Sequence, residues 1–312
     1  MDSIIKVENL EKSYKKNRAL DGISFDVHAG EILCLLGPNG AGKSTTINIL
    51  TTALKGEKGN VFFKGRNINQ IAKTYKQNLG IVPQELALYE ELSAERNVEF
   101  FAALYGVRGR ELRVKVNEAL KFVGLWDRKK DRAKTFSGGM KRRLNIACAI
   151  AHNPKIIILD EPTVGIDPQS RNHILKSIKE LRENGATIIY TTHYMEEVEE
   201  ISTRIIIIDH GKIIAEGTKE SLKEKLAEEK QYIIEADGTD RLEKEDLYKI
   251  AGVKNVDLEG NRIRISVIKG IDNLDKIISI LIGKKIKINN VTNEEASLET
   301  VFLKLTGRTL RN

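Results

Sequence analysis

The 312-residue sequence contains no apolar run that approaches the roughly 20 residues of a membrane-spanning helix. Short aliphatic runs such as residues 156–159 and 205–208 have the size of buried strands instead. The first eight residues carry early charges and no long apolar segment, so they do not resemble a secretory signal peptide. We therefore expect the chain to remain in the cytoplasm and to need a separate partner for any role at a membrane.

Cysteine is nearly absent, and no internal repeat or low-complexity tract is found. Cys34 and Cys148 each lie in an apolar segment, which predicts buried side chains and argues against a disulfide or a cysteine metal site. The net charge of +7 permits binding to nucleic acid or to an anionic membrane. The basic residues are scattered among many glutamates, however, so a solvated surface is favoured and a nucleic-acid partner is not expected.

One glycine-rich stretch matches the phosphate-binding pattern G-x-x-x-x-G-K-[ST]. An apolar run at 31–36 precedes it and predicts a buried parallel strand, while residues 44–50 can form a helix. A glycine-rich turn with a surface lysine is the alternative, and these flanking elements argue against it. The residues of this phosphate loop are Gly37, Pro38, Asn39, Gly40, Ala41, Gly42, Lys43, Ser44 and Thr45.

The residue types in this loop suit a nucleotide triphosphate. Glycines allow successive backbone N–H groups to point at an anion, and the helix N-terminus adds its positive dipole end. Lys43 can contact the β- and γ-phosphates, and the Ser44 hydroxyl can contact Mg²⁺. The loop alone predicts nucleotide binding but not its use.

Two adjacent carboxylates follow a predicted buried strand at residues 155–159. Asp160 and Glu161 are costly to place there without a partner, and Mg²⁺ at the strand tip would supply one. Successive strand residues point to opposite sides, so the two should have different roles: one holds Mg²⁺ and the other approaches a water molecule. A pair of ordinary loop carboxylates is the alternative.

Three further features have weaker signals. Ser137, Gly138 and Gly139 precede a clear helix and form a second possible phosphate-binding N-terminus, although such loops are common. His193 follows a predicted core strand at the edge where α/β sheets bind ligands, whereas the other four histidines are expected at surface or capping positions. Tyr14 is most simply a half-buried strand aromatic, with base stacking as the alternative.

The predicted element order defines an α/β protein. Residues 4–8, 23–27 and 60–64 suggest antiparallel strands, and residues 86–150, with helices expected over 85–105 and 111–125, read as a helical insertion.

A charged helix is predicted at residues 218–230, and the strand and helix pattern after it is βαββαβ with a trailing helix, typical of a ferredoxin-like module. We expect a nucleotide-binding α/β domain over residues 1–218, a connector over 219–230 and an accessory α+β domain over 231–312.

Taken together, these motifs over residues 4–217 resemble the ATPase family of ABC transporters. The Ser-Gly-Gly sequence shortly before Ile-Ile-Ile-Leu-Asp-Glu-Pro is highly specific to that family, whereas the phosphate loop is shared by many NTPases. Phe136 and Met140 replace the common leucine and glutamine around Ser-Gly-Gly. The three phosphate-facing positions are kept, so the resemblance implies an active site. It also implies a fold with a P-loop NTPase core and antiparallel β and helical subdomains.

The resemblance also implies a role for each residue around ATP and Mg²⁺. It implies that Tyr14 stacks on adenine and that the phosphate loop holds the phosphates. It implies that Gln84, Ser44 and Asp160 serve the Mg²⁺ ion and that Glu161 is the general base. His193 would contact the γ-phosphate.

A two-chain arrangement follows from the same resemblance. Ser137, Gly138 and Gly139 would cap the γ-phosphate bound by a second copy, with Asp167 near the interface. Two chains would thus enclose two ATP molecules and open after hydrolysis.

A closer likeness is to ATPases of drug- and antibiotic-export systems. It rests on the stretches at 82–85, 192–197 and 297–308. It implies a separate permease, a homodimer and a location on the inner face of the cell membrane. An import ATPase with a regulatory tail, or an ABC ATPase acting on nucleic acid or ribosomes, remains an alternative. The transported substrate would be chosen by the permease.

Overall fold

A computed structural model describes residues 3–15, 17–226, 229–294 and 298–306. These residues fall into two separately packed units, 3–219 and 220–306. Within the described ranges, no helix is both long and apolar enough to cross a bilayer. Cys34 and Cys148 are buried, as predicted, and both are free cysteines.

The centre of the first unit is a six-stranded sheet. Its strands are β3 (Ile32–Leu36), β6 (Leu79–Val82), β7 (Ile156–Asp160), β8 (Thr187–Thr192), β9 (Arg204–Asp209) and β10 (Lys212–Gly217). The spatial order is β10-β9-β3-β8-β7-β6, with β10 antiparallel to β9 and the other pairs parallel. Every residue of β3, β7 and β8 is buried, as expected for strands covered on both faces. The carboxyl ends of the parallel strands therefore meet at one edge.

A second, antiparallel sheet lies beside the first. It comprises β1 (Ser3–Tyr14), β2 (Asn17–His28), β4 (Lys58–Phe63) and β5 (Arg66–Asn67), in the order β2-β1-β4-β5. One hydrophobic cluster contains residues of both sheets, including Ile5, Phe25, Leu35 and Ile158. The strands that were predicted to flank the phosphate loop are thus present and share its core.

Seven helices complete the described part of the first unit. They are α1 (Lys43–Leu50), α2 (Ala72–Gln77), α3 (Ala94–Leu104), α4 (Gly109–Phe122), α5 (Gly138–Ile150), α6 (Pro168–Glu183) and α7 (Met195–Ile201). Ser93 caps α3, because its hydroxyl accepts from the Arg96 backbone N–H.

The prediction of helix from residue 85 was wrong over residues 85–92. There the buried Asn97 side chain holds the chain instead: its Oδ1 accepts from the Tyr89 N–H at 2.8 Å and its Nδ2 donates to the Tyr89 carbonyl at 3.0 Å. These tertiary hydrogen bonds take the place of helical ones.

The second unit contains a four-stranded antiparallel sheet. Its elements are α8 (Lys219–Leu226), β11 (Glu229–Asp237), α9 (Lys244–Tyr248), β12 (Val253–Glu259), β13 (Arg262–Ile268), α10 (Leu274–Gly283), β14 (Lys287–Glu294) and α11 (Leu298–Thr306). The βαββαβ order is the predicted one, and the strands lie side by side as β12-β13-β11-β14. Residues 229 and 230, which were predicted to belong to the connector helix, form the start of β11 and pair with β13.

Candidate active site

A cleft of about 260 Å³ opens where the phosphate loop meets the ends of the strands. Six residues of the loop line it, and so do Tyr14, Gln84 and Glu161. The six are Asn39, Gly40, Gly42, Lys43, Ser44 and Thr45. These nine residues were singled out from the sequence, although Tyr14 and Glu161 lie 147 positions apart in the chain; Asn17 and Ala19, which also line the cleft, were not.

Two glycines of the loop are required by the packing behind it. A Cβ on Gly37 would lie 2.2 Å from the Ile208 carbonyl oxygen, and one on Gly42 would lie 2.6 Å from that of Ala19. Gly42 also has a φ of 112°, which side-chain-bearing residues rarely adopt. The loop can therefore curl only with glycine at these positions.

The Lys43 ammonium is buried and tied to the loop itself. Its Nζ donates to the carbonyls of Gly37 and Pro38, at 2.7 and 3.1 Å, and lies 3.4 Å from Glu161 Oε1. Burial lowers the pKa of Lys43, and the nearby Glu161 carboxylate opposes that shift. A cation held this way can exchange its carbonyl and carboxylate contacts for phosphate oxygens.

Glu161 is the meeting point of the predicted catalytic residues. Its Oε2 accepts from Gln84 Nε2, and its Oε1 lies within hydrogen-bond distance of His193 Nδ1, both at 3.3 Å. Its backbone has a φ of 44°, in the left-handed region that non-glycine residues avoid. The Glu161 N–H donates to Thr191 on the neighbouring strand, to its hydroxyl at 2.9 Å and to its carbonyl at 3.2 Å, and these contacts hold this conformation.

Asp160 faces a different set of groups. It is the last residue of β7; its Oδ1 accepts from the Thr191 hydroxyl at 2.5 Å, and Ser44 also hydrogen-bonds to the carboxylate. Burial raises the pKa of Asp160, an effect that these hydrogen bonds and Lys43 partly offset. The two adjacent carboxylates thus have separate environments, as the strand geometry predicted.

The Asp160 and Ser44 oxygens form a donor set suited to Mg²⁺. In the ranges that the structure describes, no group of three or more His, Cys, Asp or Glu side chains is placed to hold a metal ion. A Mg²⁺ ion takes oxygen ligands and commonly keeps water and phosphate among them. One carboxylate and one hydroxyl next to a phosphate loop fit that requirement.

Ser137, Gly138 and Gly139 do not line the cleft of their own chain. They form the N-terminus of α5, where the Ser137 hydroxyl accepts from the Met140 N–H, and Ser137 and Gly138 are exposed. Gly139 is buried, and Ser170 packs so closely on it that a Cβ there would lie 2.1 Å from Ser170 Oγ. Asp167 caps α6 by accepting from the Ser170 N–H, so it lies beside this loop.

Tyr14 ends β1 and lines the cleft with 47% of its surface exposed. Tyr14 is thus a half-buried strand aromatic, as the simpler interpretation held, and base stacking stays a prediction. The ring face is available to a flat ligand.

Glu197 was not assigned a role from the sequence, yet it organises the back of the site. Its carboxylate is fully buried and accepts from the hydroxyls of Thr163, Tyr190 and Thr192 at 2.6–2.8 Å, while Arg171 Nε lies 3.0 Å away. It joins the turn after Glu161 to the end of β8. The sequence placed Glu197 only in the 192–197 stretch that resembles export ATPases, and its burial on α7 is seen in the structure.

His152 is also unlike its prediction. It was expected at the surface or in a cap, but it stacks on Tyr105 with ring centroids 3.6 Å apart and contacts the Leu79 carbonyl at 2.9 Å. Burial lowers the pKa of His152 to about 4.

Fold and site together define a P-loop nucleotide hydrolase of the ATP-binding cassette type. The family model described as "ABC transporter" matches residues 20–164, and the model for the C-terminal domain of DrrA1-3-like ATP-binding proteins matches residues 217–306.

Named relatives match along nearly the whole chain. The linearmycin resistance ATP-binding protein LnrL of Bacillus subtilis is 42% identical, over 99% of this chain and 100% of the relative. The Nod factor export ATP-binding protein I of Burkholderia pseudomallei is 35% identical, over 97% of each chain.

A solved structure described as the dimeric post-hydrolysis state of the ATP-binding cassette MJ0796 with ADP and Pi matches with a TM-score of 0.63 and 29% identity. It covers 69% of this chain, which covers 98% of that one.

The chain belongs to the ATP-binding subunits of ABC transporters, in the group that includes drug- and antibiotic-resistance ATP-binding proteins. It is an ATPase of that family.

Proposed function

We propose that two copies of the chain enclose two ATP molecules and power export through a separate permease. The carrying observation is that Ser137 and Gly138 are exposed at a helix N-terminus outside the cleft of their own chain. Such a terminus suits an anion, and a second copy could present it to the γ-phosphate. The matched cassette described as dimeric with ADP and Pi supports this arrangement.

In this proposal the residues around the phosphates act in sequence. Lys43 moves from Glu161 to the β- and γ-phosphates. The Glu161 carboxylate then becomes available to a water molecule. Glu161 accepts a proton as the water oxygen attacks the γ-phosphorus and ADP leaves. His193 contacts the γ-phosphate and orients Glu161.

Ser44, Asp160 and Gln84 would hold a Mg²⁺ ion, which neutralises charge on the phosphates. The Tyr14 ring would stack on adenine. Its exposed face and its position in the cleft support this assignment.

A permease would dock beside Gln84. Tyr89 and Phe100 are 49% and 38% exposed and stack edge to face at 4.8 Å, with Phe101 against both. We name these three residues the aromatic cluster. Exposed aromatics of this kind are typical of interaction sites. We propose that a cytoplasmic segment of the permease covers them and so holds the chain at the inner face of the membrane.

Export is supported by the relatives' names, which cite resistance to linearmycin and export of Nod factor. These cargoes differ while the subunits are alike, so we propose that the permease selects the cargo. We further propose that residues 1–218, with their helical part at 86–150, act as the ATPase domain. The β-rich region from 231 onward would be an accessory module.

Replacing Glu161 with glutamine should trap the dimer, because ATP still binds but no carboxylate remains to accept the proton. Light scattering after gel filtration should show a monomer without nucleotide and a dimer with ATP. Lys43→Ala in the same background should stay monomeric. A Glu161→Gln chain that binds ATP yet remains monomeric at saturation would contradict the two-chain arrangement.

A further inference from the structure

One buried arginine joins α5 to the loop that carries Gln84. Arg142 lies in the first turn after Ser137–Gly139 and is 4% exposed. Its Nη1 donates to the Pro83 carbonyl at 2.7 Å and its Nη2 to the Gln84 carbonyl at 2.6 Å. The planar guanidinium thereby binds two successive carbonyls, which an ammonium or an amide cannot do with the same geometry.

Stability alone does not account for an arginine at this position. Among the described residues, no carboxylate forms an ion pair with Arg142, and its Nε lacks an acceptor. Burial lowers the pKa of Arg142, which reflects the cost of removing its charge from water. A neutral side chain would avoid that cost, but it would lose the two-point attachment of the loop.

Both ends of this attachment lead to functional groups. On one side, the Gln84 side chain donates to the Glu161 carboxylate at 3.3 Å. On the other side, Arg142 lies three residues from Gly139, which packs against Ser170 without room for a Cβ. Arg142 therefore forms a short contact path between the Gln84 loop and the N-terminus of α5.

We propose that Arg142 is a positioning residue that couples Gln84 to the orientation of Ser137–Gly139 in the same chain. The inference rests on the proposed two-chain arrangement, in which those residues complete the site of the partner. Arg142 thus links the nucleotide bound by one chain to the nucleotide bound by the other, and it makes the two sites cooperative.

The test compares Glu161→Gln with the double variant that also carries Arg142→Met. A fluorescent ATP analogue measures affinity for the single chain, and light scattering measures dimer formation against ATP concentration. We expect the affinity to change less than about twofold, while the ATP concentration for half-maximal dimerisation rises about tenfold or more. With Glu161 intact, the Hill coefficient for hydrolysis should fall toward one in Arg142→Met.

Arg143→Met is the matched control. Arg143 lies on the same helix and donates to the Val123 carbonyl at 2.9 Å, not to the Gln84 loop. It should leave ATP-driven dimerisation of Glu161→Gln unchanged. If Arg142→Met fails to fold, Arg142→Gln keeps one donor for one carbonyl and should give the same rise.

Two results would overturn the inference: dimerisation of the Arg142 variant at the ATP concentration of its parent, or an equal loss in Arg143→Met. The second would indicate general loosening of the helix. If Glu161→Gln itself never dimerises, the two-chain arrangement fails and the coupling fails with it.

Discussion

A single hydroxyl contacts both neighbouring acidic residues of the site. Thr191 Oγ1 donates to Asp160 and accepts from the backbone N–H of Glu161. Since Glu161 has a positive φ, this contact stabilises a conformation that would otherwise be unfavourable by about 1–3 kcal/mol. Thr191 is therefore expected to determine where both carboxylates lie.

Replacing Thr191 with valine preserves its shape but removes the hydroxyl. We expect about 1–3 kcal/mol of lost stability, because the buried Asp160 carboxylate loses a hydrogen-bond donor, while the Glu161 N–H keeps the Thr191 carbonyl as an acceptor. The kcat for ATP should fall at least about tenfold through misplacement of both carboxylates, with little change in ATP affinity. Steady-state hydrolysis and nucleotide titration measure these effects.

Thr191→Ser is the control, since it keeps the hydroxyl and should retain most of the activity. Equal kcat in the valine and serine variants would show that the hydroxyl does not position the carboxylates.

At the level of elements, the sequence predicts site residues that lie in contiguous motifs. It does not predict side-chain contacts that depend on how the strands pair. Lys43, Asp160, Glu161 and His193 each stand next to a recognisable strand or loop, and the carboxyl edge of a parallel sheet brings such positions together. Thr191 carries no signal of its own. Its role depends on the register that places it opposite Asp160, which only the paired strands reveal.

The same limit applies to the helices and to the second unit. The apolar periodicity indicated α3 and α4, but the path of residues 85–92 depends on the distant Asn97 side chain. The βαββαβ order was predictable because each element has local periodicity. The exact join between α8 and β11 was not.

His152 joins the end of α5 to α3 and β6, through Tyr105 and Leu79. Its pKa is about 4 when folded, against an ordinary value of 6.5. Between these pH values the unfolded chain binds more protons, so the free energy of unfolding falls as pH falls from 6.5 toward 4. The loss contributed by this group is at most about 3 kcal/mol.

We therefore expect His152→Gln to flatten the pH dependence of stability in that window, because glutamine does not titrate and can still donate to Leu79. Urea unfolding at pH 7 and at pH 5 measures the difference for both chains. Parallel losses in the two chains would assign the acid sensitivity to other groups.

At the scale of the whole molecule, the aromatic cluster is the surface at which we propose that a permease docks. Its exposed side chains lie outside the nucleotide cleft, so Tyr89→Ser with Phe100→Ser should leave nucleotide affinity intact. Recovery of a permease from detergent-solubilised membranes should fall about tenfold or more, because exposed aromatics often carry much of the affinity of an interface. Tagged chain in the Glu161→Gln background with ATP provides the measurement.

Tyr248→Ser, at a 44% exposed tyrosine of the second unit, is the matched control and should retain the permease. If the aromatic-cluster variant recovers as much permease as its parent chain, the docking surface lies elsewhere. Recovery of ribosomes or nucleic acid in place of a permease would contradict the export proposal.

The exposed Ser137–Gly138 segment at the N-terminus of α5 has a consequence for the rate at which a cell hydrolyses ATP. In the proposed arrangement a solitary copy contains two halves of different sites, so its turnover depends on meeting another copy. A permease that binds two copies replaces that encounter with an effective concentration of about millimolar order. Chains in excess of the permease would hydrolyse little ATP. The rate of ATP hydrolysis would therefore follow the number of assembled transporters, not the amount of this subunit.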